Sequence, residues 1–213
     1  VIKSYELYIS VIGKAMRIVK AKSERKKEIL EAATKIFLKK GFEKTSMEDI
    51  IAATSLSKGG FYHYYSNTTD ILHDLMLEGI AYRIKIIESM DSGYVDWNDE
   101  TVVQILVDKI LDDSALMSLY VIYLQASQRN PDLRALYEDL KKENRDMFEE
   151  HFSSQSKILM EPFYSDLVLG LMNAVMLGAE VLGVREVFRK NRPFFVSMMK
   201  LALEYAREGK MVN

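Results

Sequence analysis

The chain has 213 residues, a formal net charge of −2, 48% hydrophobic and 28% charged residues, and no cysteine. That length holds one sizeable domain or a small one joined to a larger one, with the composition of an ordinary soluble globular protein. Lack of cysteine excludes disulfides and thiolate chemistry and fits a reducing, cytoplasmic setting. No apolar run approaches the roughly 20 residues that span a bilayer, so no membrane partner is expected.

The charge is unevenly spread. Twelve Lys/Arg face seven Asp/Glu between Lys14 and Asp70, whereas sixteen face twenty-three between Ile71 and Asn213. Such asymmetry turns one basic end toward an anion while the rest stays soluble.

In chain order, residues 1–22 read as an N-terminal extension. Its opening VIKSYELYISVIG is mildly apolar but carries Lys3 and Glu6 and lacks a signal-type core, and Met16 is an alternative start. The first helix is predicted over Glu24–Lys40, because Ile29, Ala32, Ala33, Ile36 and Phe37 form one apolar stripe. Ser23 suits its N-cap, Lys39 and Lys40 its C-terminal dipole, and Gly41 the position just past its end. Thr45 opens a second helix, with Glu48 completing a capping box and Met47, Ile50 and Ile51 facing inward.

The turn Thr54-Ser55-Leu56 follows, and Ser57 caps a third helix from Lys58 to about Tyr65. At helical spacing Phe61 and Tyr65 share one side, with Gly59, Gly60 and His63 opposite, flanked by Tyr62 and Tyr64. One side anchors inward. The other permits close approach and is edged by polar aromatic tips. This is the build of a helix-turn-helix whose second helix enters a DNA major groove.

Ser66–Thr69 breaks and recaps the chain into a long fourth helix, Asp70 to about Met90, followed by a loop over Asp91–Asn98. Helices are then predicted over Glu100–Leu111, Ser114–Gln128, Pro131–Ser153, Ser165–Leu182 and Pro193–Arg207, with Asn130-Pro131 a particularly clear start. No alternating apolar run bounded by turns argues for a sheet, so the fold class is all-α.

With these residues placed, Glu24–Leu75 resembles the DNA-binding domain of the tetracycline-repressor (TetR) family. The likeness rests on ILEAATKIFLKKGFEKTSMEDIIAATSLSKGGFYHYYSNTTDIL, from the apolar first helix ending in Gly41-Phe42 to Ser57-Lys58-Gly59 and Phe61–Tyr65. It implies a helix-turn-helix domain over residues 23–69 and a helical effector-binding and dimerising domain over 70–213. It further implies a homodimeric, ligand-released repressor on palindromic, double-stranded operator DNA, with a small apolar or amphipathic effector. The resemblance assigns DNA contact to Thr45, Ser46, Lys58, Gly59, Gly60, Tyr62, His63, Tyr64 and Thr68. Two positions depart from the family pattern. Ser55 stands where a turn glycine is common and would need a left-handed serine, and Thr68 replaces a common lysine, removing a phosphate cation.

Ten of the twelve methionines lie beyond residue 71. Met117, Met172 and Met176, with Tyr120 and Tyr123, are therefore candidates to line an apolar pocket, against the alternative of ordinary core filling. Gly170, Ala174 and Gly178 recur every four residues, and Phe194, Phe195, Met198, Met199 and Leu201 follow in the last helix. The resemblance makes these last two helices the dimer interface. Trp97, in a loop, is uninformative.

Catalysis finds no support. His63, His73 and His151 are scattered without metal-ligand spacing, and no nucleophile elbow or phosphate loop occurs. Asp112-Asp113 and Glu149-Glu150 read as solvated helix faces. No catalytic residue, metal or cofactor is expected. The competing readings are a ligand-independent interaction scaffold that keeps the helix-turn-helix only as packing and, further off, an enzyme built on the helical domain.

Overall fold

The structure, a computed structural model, describes residues 22–90 and 97–209, apart from the side chains of Met90 and Gln155. The readings of residues 1–21, including an alternative start at Met16, and of most of the 91–98 loop lie outside the described residues. Among the described residues every regular element is helical. The chain divides into two compact units, Val1–Asp74 and Leu75–Asn213, so the division falls inside the fourth helix rather than before it.

In the first unit, α1 is described over residues 22–40 and buries Ile29, Ala33 and Phe37 completely. Ser23 lies within α1 rather than capping it. Gly41 ends the helix at φ +77°, a left-handed position that costs glycine no Cβ clash, and its N–H donates to the Phe37 carbonyl at 2.8 Å. The helices α2 (Met47–Ile51) and α3 (Lys58–Tyr62) follow, and α4 (Thr68–Met90) begins here. α4 starts two residues earlier than expected, because the Asn67 side chain already accepts from the Asp70 N–H at 2.8 Å.

The second unit comprises the rest of α4, α5 (Asp99–Ile110), α6 (Ala115–Ser127), α7 (Pro131–His151), α8 (Ser154–Met160), a 3-10 turn (Glu161–Tyr164), α9 (Asp166–Val181), α10 (Arg185–Lys190) and α11 (Arg192–Arg207). α5 and α11 lie antiparallel. Arg207 grips Asp99 at 2.6 Å at one end and Arg192 grips Asp108 at 2.6 Å at the other, with Lys200–Glu100 at 2.5 Å between. These pairs are largely exposed and fix register more than they stabilise. Stability comes from the apolar face beneath, where Val102, Leu106, Phe195, Met199 and Leu203 join one buried cluster.

Three elements went unread. α8 and the 3-10 turn fill what looked like a break after Ser153, and α10 occupies the link before α11. Trp97 is a correction of another kind. It sits in the loop before α5, yet it is only 8% exposed and meets Phe152 edge-on at 5.8 Å and Phe148 at 6.5 Å.

Candidate nucleic-acid interface and interior cavity

The local order of α2 and α3 comes from their caps. Thr45 and Ser46 both carry hydroxyls with an acid three residues on, and Ser46 is the one that caps α2. Its Oγ accepts from the Asp49 N–H at 3.2 Å, while the Asp49 carboxylate accepts from the Ser46 N–H at 3.0 Å. Thr45 cannot compete, since its hydroxyl donates to the Gly41 carbonyl at 2.7 Å and the residue is buried. The capping box expected at Thr45–Glu48 is thereby corrected, and Thr45 leaves the set able to touch a ligand. Ser57 caps α3 as expected, accepting from Gly60 N–H at 3.2 Å.

α3 ends at Tyr62, three residues short of the expected Tyr65, with His63 as its C-cap. The division of the aromatic run still holds. Phe61 and Tyr65 are buried, and the Tyr65 hydroxyl donates to Asp74 at 2.7 Å. Lys26 of α1 reaches the same carboxylate at 2.9 Å, so one acid ties α1, the end of the α3 segment and the start of α4 together. Tyr62 (41% exposed), His63, Lys58 and Gly59 face out, while Gly60, Tyr64 and Thr68 are half-buried. A Cβ built on Gly59 would meet nothing within 4 Å, whereas one on Gly60 would sit 3.2 Å from the Ser57 Oγ. Gly60 is therefore held small by its own cap, and Gly59 by nothing among the described residues.

Charges around the turn are paired. Lys58 of α3 reaches Glu48 of α2 at 3.0 Å and lies 6.0 Å from the Tyr62 ring centroid. Both partners of that pair are well exposed, so it exchanges readily for a phosphate. Asp49 is held down to a pKa of about 2 by Lys40, at 2.5 Å, and then by the Ser46 donors. The Ser55 N–H donates to Glu28 of α1 at 2.6 Å, and Arg25 donates to the Ser55 hydroxyl and to Glu28, both at 2.8 Å. These bonds, that from the Ser55 backbone first, bring Glu28 to a pKa of about 2. No described non-glycine residue has positive φ, so Ser55 is not the left-handed serine expected. The turn is closed by the Glu28 and Arg25 side chains instead of by glycine.

Residues 29–75 match the sequence profile of the bacterial regulatory proteins of the tetR family. That segment is therefore a tetR-type helix-turn-helix domain. The chain is 29% identical over 134 residues to the helix-turn-helix transcriptional regulator YfiR of Bacillus subtilis, a match covering 62% of this chain and 63% of YfiR. GusR of Salmonella enterica shares the fold at a TM-score of 0.59 and 16% identity, covering 84% of this chain and 92% of that one. A TetR-family regulator from Mesorhizobium loti does so at 0.54 and 21%, covering 86% and 95%. The chain thus spans just under two thirds of YfiR, and the family's helix-turn-helix domain occupies its 29–75 segment.

Inside the second unit lies a cavity of about 120 Å³. Met76, Ile80 and Arg83 of α4, Lys109 of α5, Met117 and Tyr120 of α6, and Tyr137 and Leu140 of α7 contribute to its walls. Of the five residues the sequence offered, Met117 and Tyr120 are there. Tyr123, Met172 and Met176 are not. Tyr123 is fully buried with its hydroxyl donating to the Leu133 carbonyl at 2.8 Å, and both methionines fill the core cluster at 1% exposure. Burial pushes the hydroxyls of Tyr120 and Tyr123 up, so both stay protonated donors. Tyr120 donates to Asn173 at 3.0 Å, which in turn donates to Tyr137 at 2.9 Å.

Asp112 also corrects the sequence reading. Rather than a solvated helix face, its carboxylate binds Arg83 at 2.5 Å and accepts from the Ser114 N–H at 2.8 Å, at the cavity wall. Asp113 pairs with Arg189 of α10 at 2.9 Å. Lys109 was missed, although a signal was present: it falls seven residues after Val102 and three after Leu106, on the apolar stripe of α5. Among the described residues, no group of three or more His, Asp or Glu is arranged to hold a metal.

The last helices present an unpartnered apolar surface. Leu167, Val181 and Leu182 are exposed at α9, and Phe194 (65%), Leu201 (57%) and Tyr205 (48%) are exposed along α11. A Cβ on Gly170 would meet nothing within 4 Å. Gly178 behaves differently, since its Cβ would lie 3.9 Å from Phe188 of α10 and part of the small-residue stripe packs internally.

Proposed function

We propose that the chain is a DNA-binding transcriptional regulator, most simply a cytoplasmic repressor acting as a homodimer. Each subunit places α3 in a major groove, and the two-fold operator mirrors the two-fold protein. The single observation behind this is the split personality of a very short helix. Phe61 is spent on the core, while Gly59, Tyr62 and His63 stand outward and Lys58 is held only by an exposed, exchangeable pair with Glu48. Hydroxyls and backbone N–H groups there can hold phosphates and set register, and side-chain edges can read bases.

Dimerisation is proposed through α9 and α11, whose exposed apolar residues and open Gly170 suit close helix packing. A small effector in the second unit's cavity would release DNA by favouring a state that binds it poorly. Quantitative binding of the purified chain to DNA upstream of its own gene tests the whole reading. Sequence-specific binding that falls steeply with salt is the expected result. Selection from a genomic library that returns no specific fragment would instead favour an interaction scaffold.

A further inference from the structure

Three cations line the cavity, and they are not equivalent. Arg83 is neutralised by Asp112 at 2.5 Å, and Lys141 by Glu138 at 2.8 Å, with Lys141 also lying 5.2 Å from the Tyr137 ring centroid. Lys109 has neither a hydrogen bond nor an ion pair among the described residues. What its ammonium meets is the ring of Phe163, 5.0 Å to the centroid. Asp112, the carboxylate on the wall, is already committed to Arg83 and Ser114. Desolvation, with repulsion from Arg83, lowers the Lys109 pKa to about 8, so at neutral pH it is mostly charged and poorly solvated.

An unpaired charge on a half-buried side chain is costly, and methionine or leucine would fill this stripe position without that cost. Beside it the walls are apolar, with Met76, Ile80, Leu116, Leu140 and Leu169. We propose that the cavity takes a compact organic monoanion, a carboxylate on an apolar body of about one ring or a short chain, with Lys109 as the cation that pairs it. This rests on the effector reading above and names the chemistry of that effector. One free cation matches one negative charge, whereas a phosphate dianion would need Arg83 or Lys141 to give up its partner. The volume, about 120 Å³, sets an upper bound: a cavity of roughly 150 Å³ admits benzene, so the apolar body is no larger than one ring.

Benzoate, benzyl alcohol and benzylamine form a test series of one body and three charges. Direct calorimetric binding to the full-length chain at pH 7, without DNA, should rank benzoate above benzyl alcohol by about tenfold or more, with benzylammonium weakest. Lys109→Met should erase the benzoate preference while keeping benzyl alcohol binding, and Lys109→Arg should preserve it. Equal affinity for benzoate and benzyl alcohol in the unaltered chain would overturn the proposal while leaving the cavity an effector site. So would benzoate binding unchanged in Lys109→Met, or no binding of any of the three at millimolar concentration. Benzoate binding that depends on Lys109 yet leaves operator affinity untouched would uphold the anion site and sink the effector reading.

Discussion

Replacing Lys109 by methionine is expected to stabilise the protein, which is unusual for a change at a half-buried position. The Lys109 pKa lies at about 8 in the folded chain against an ordinary 10.5. A lysine whose folded pKa is depressed binds its proton less well in the native state than in the unfolded one. The resulting penalty is therefore complete below pH 8, and it fades as pH rises from there to about 10.5. At about 1.4 kcal/mol per unit the ceiling is roughly 3 kcal/mol, and water entering the cavity brings the expected gain to about 1–3 kcal/mol. For a chain of this size that is a rise in Tm of about 2–4 °C per kcal/mol.

Trp97 makes the measurement specific. It is the single tryptophan of the chain and is buried against Phe148 and Phe152, so its fluorescence reports the second unit. Denaturant titrations of both proteins at pH 7, 8, 9 and 10 should show a gap that is widest at pH 7 and narrows toward pH 10. Other cavity groups do not blur that window. The Tyr120 and Tyr164 hydroxyls are pushed up by burial, and both proteins carry them alike. A Lys109→Met protein less stable than the parent at pH 7, or a gap independent of pH, would refute the picture of an unpaired, desolvated ammonium.

Four further outcomes follow from the first unit and the exposed helices. Gly59→Ala should fold at least as well as the parent, with a gain of up to about 1 kcal/mol from helix propensity, yet bind operator several-fold more weakly in an electrophoretic shift assay. Unchanged DNA affinity would mean that nothing approaches Gly59 closely. Tyr62→Phe, which removes an exposed hydroxyl and no packing, should cost roughly tenfold in operator affinity across all sequences without changing Tm. Glu28→Gln should loosen the first unit at pH 7 by hydrogen exchange at Ser55, and the difference should shrink as pH falls from about 4.5 toward 2, because the depressed Glu28 carboxylate stabilises only while ionised. The double variant Phe194→Asp/Leu201→Asp should sediment as a monomer where the parent sediments as a dimer; a parent already monomeric at micromolar concentration would remove the proposed interface.

What could be read from the chain was whatever local rules decide. Helical stripes, the cap at Ser57, the stop at Gly41 and the inward pair Phe61 and Tyr65 each depend on neighbours within a few residues, and all stand in the structure. Where two local solutions competed, the outcome was set elsewhere. Thr45–Glu48 and Ser46–Asp49 are equivalent as capping boxes, and the Gly41 carbonyl decides between them by taking the Thr45 hydroxyl. The closure of the turn at Ser55 was beyond local reading, since Glu28 lies 27 residues away. α10 escaped because it is six residues long and has no side-chain cap. In the second unit, methionines distinguished themselves as pocket or core only through packing. Met117 opens onto the cavity and Met172 does not, and nothing in the spacing of the two separates these fates.

The two functional features meet on one helix. Asp74 belongs to the first unit, where it receives the Tyr65 hydroxyl and Lys26. Met76, Gly79, Ile80 and Arg83 follow on the same helix and line the cavity. At 1.5 Å per residue, Asp74 and Arg83 are separated by about 14 Å of helix. Under the proposed reading, a ligand acting on the Arg83 and Lys109 walls would act on the helix that also carries Asp74. Under the proposed reading, the energy for that action is already present. The cavity carries an ammonium unpaired among the described residues, and an anion that relieves it would gain differential affinity for whichever position of α4 lets the pair form. Allosteric coupling of the usual size needs about 1–3 kcal/mol, and the penalty stored at Lys109 is of that order. Under that reading, a charge that looks like a defect in the free protein would be the source of a response to ligand.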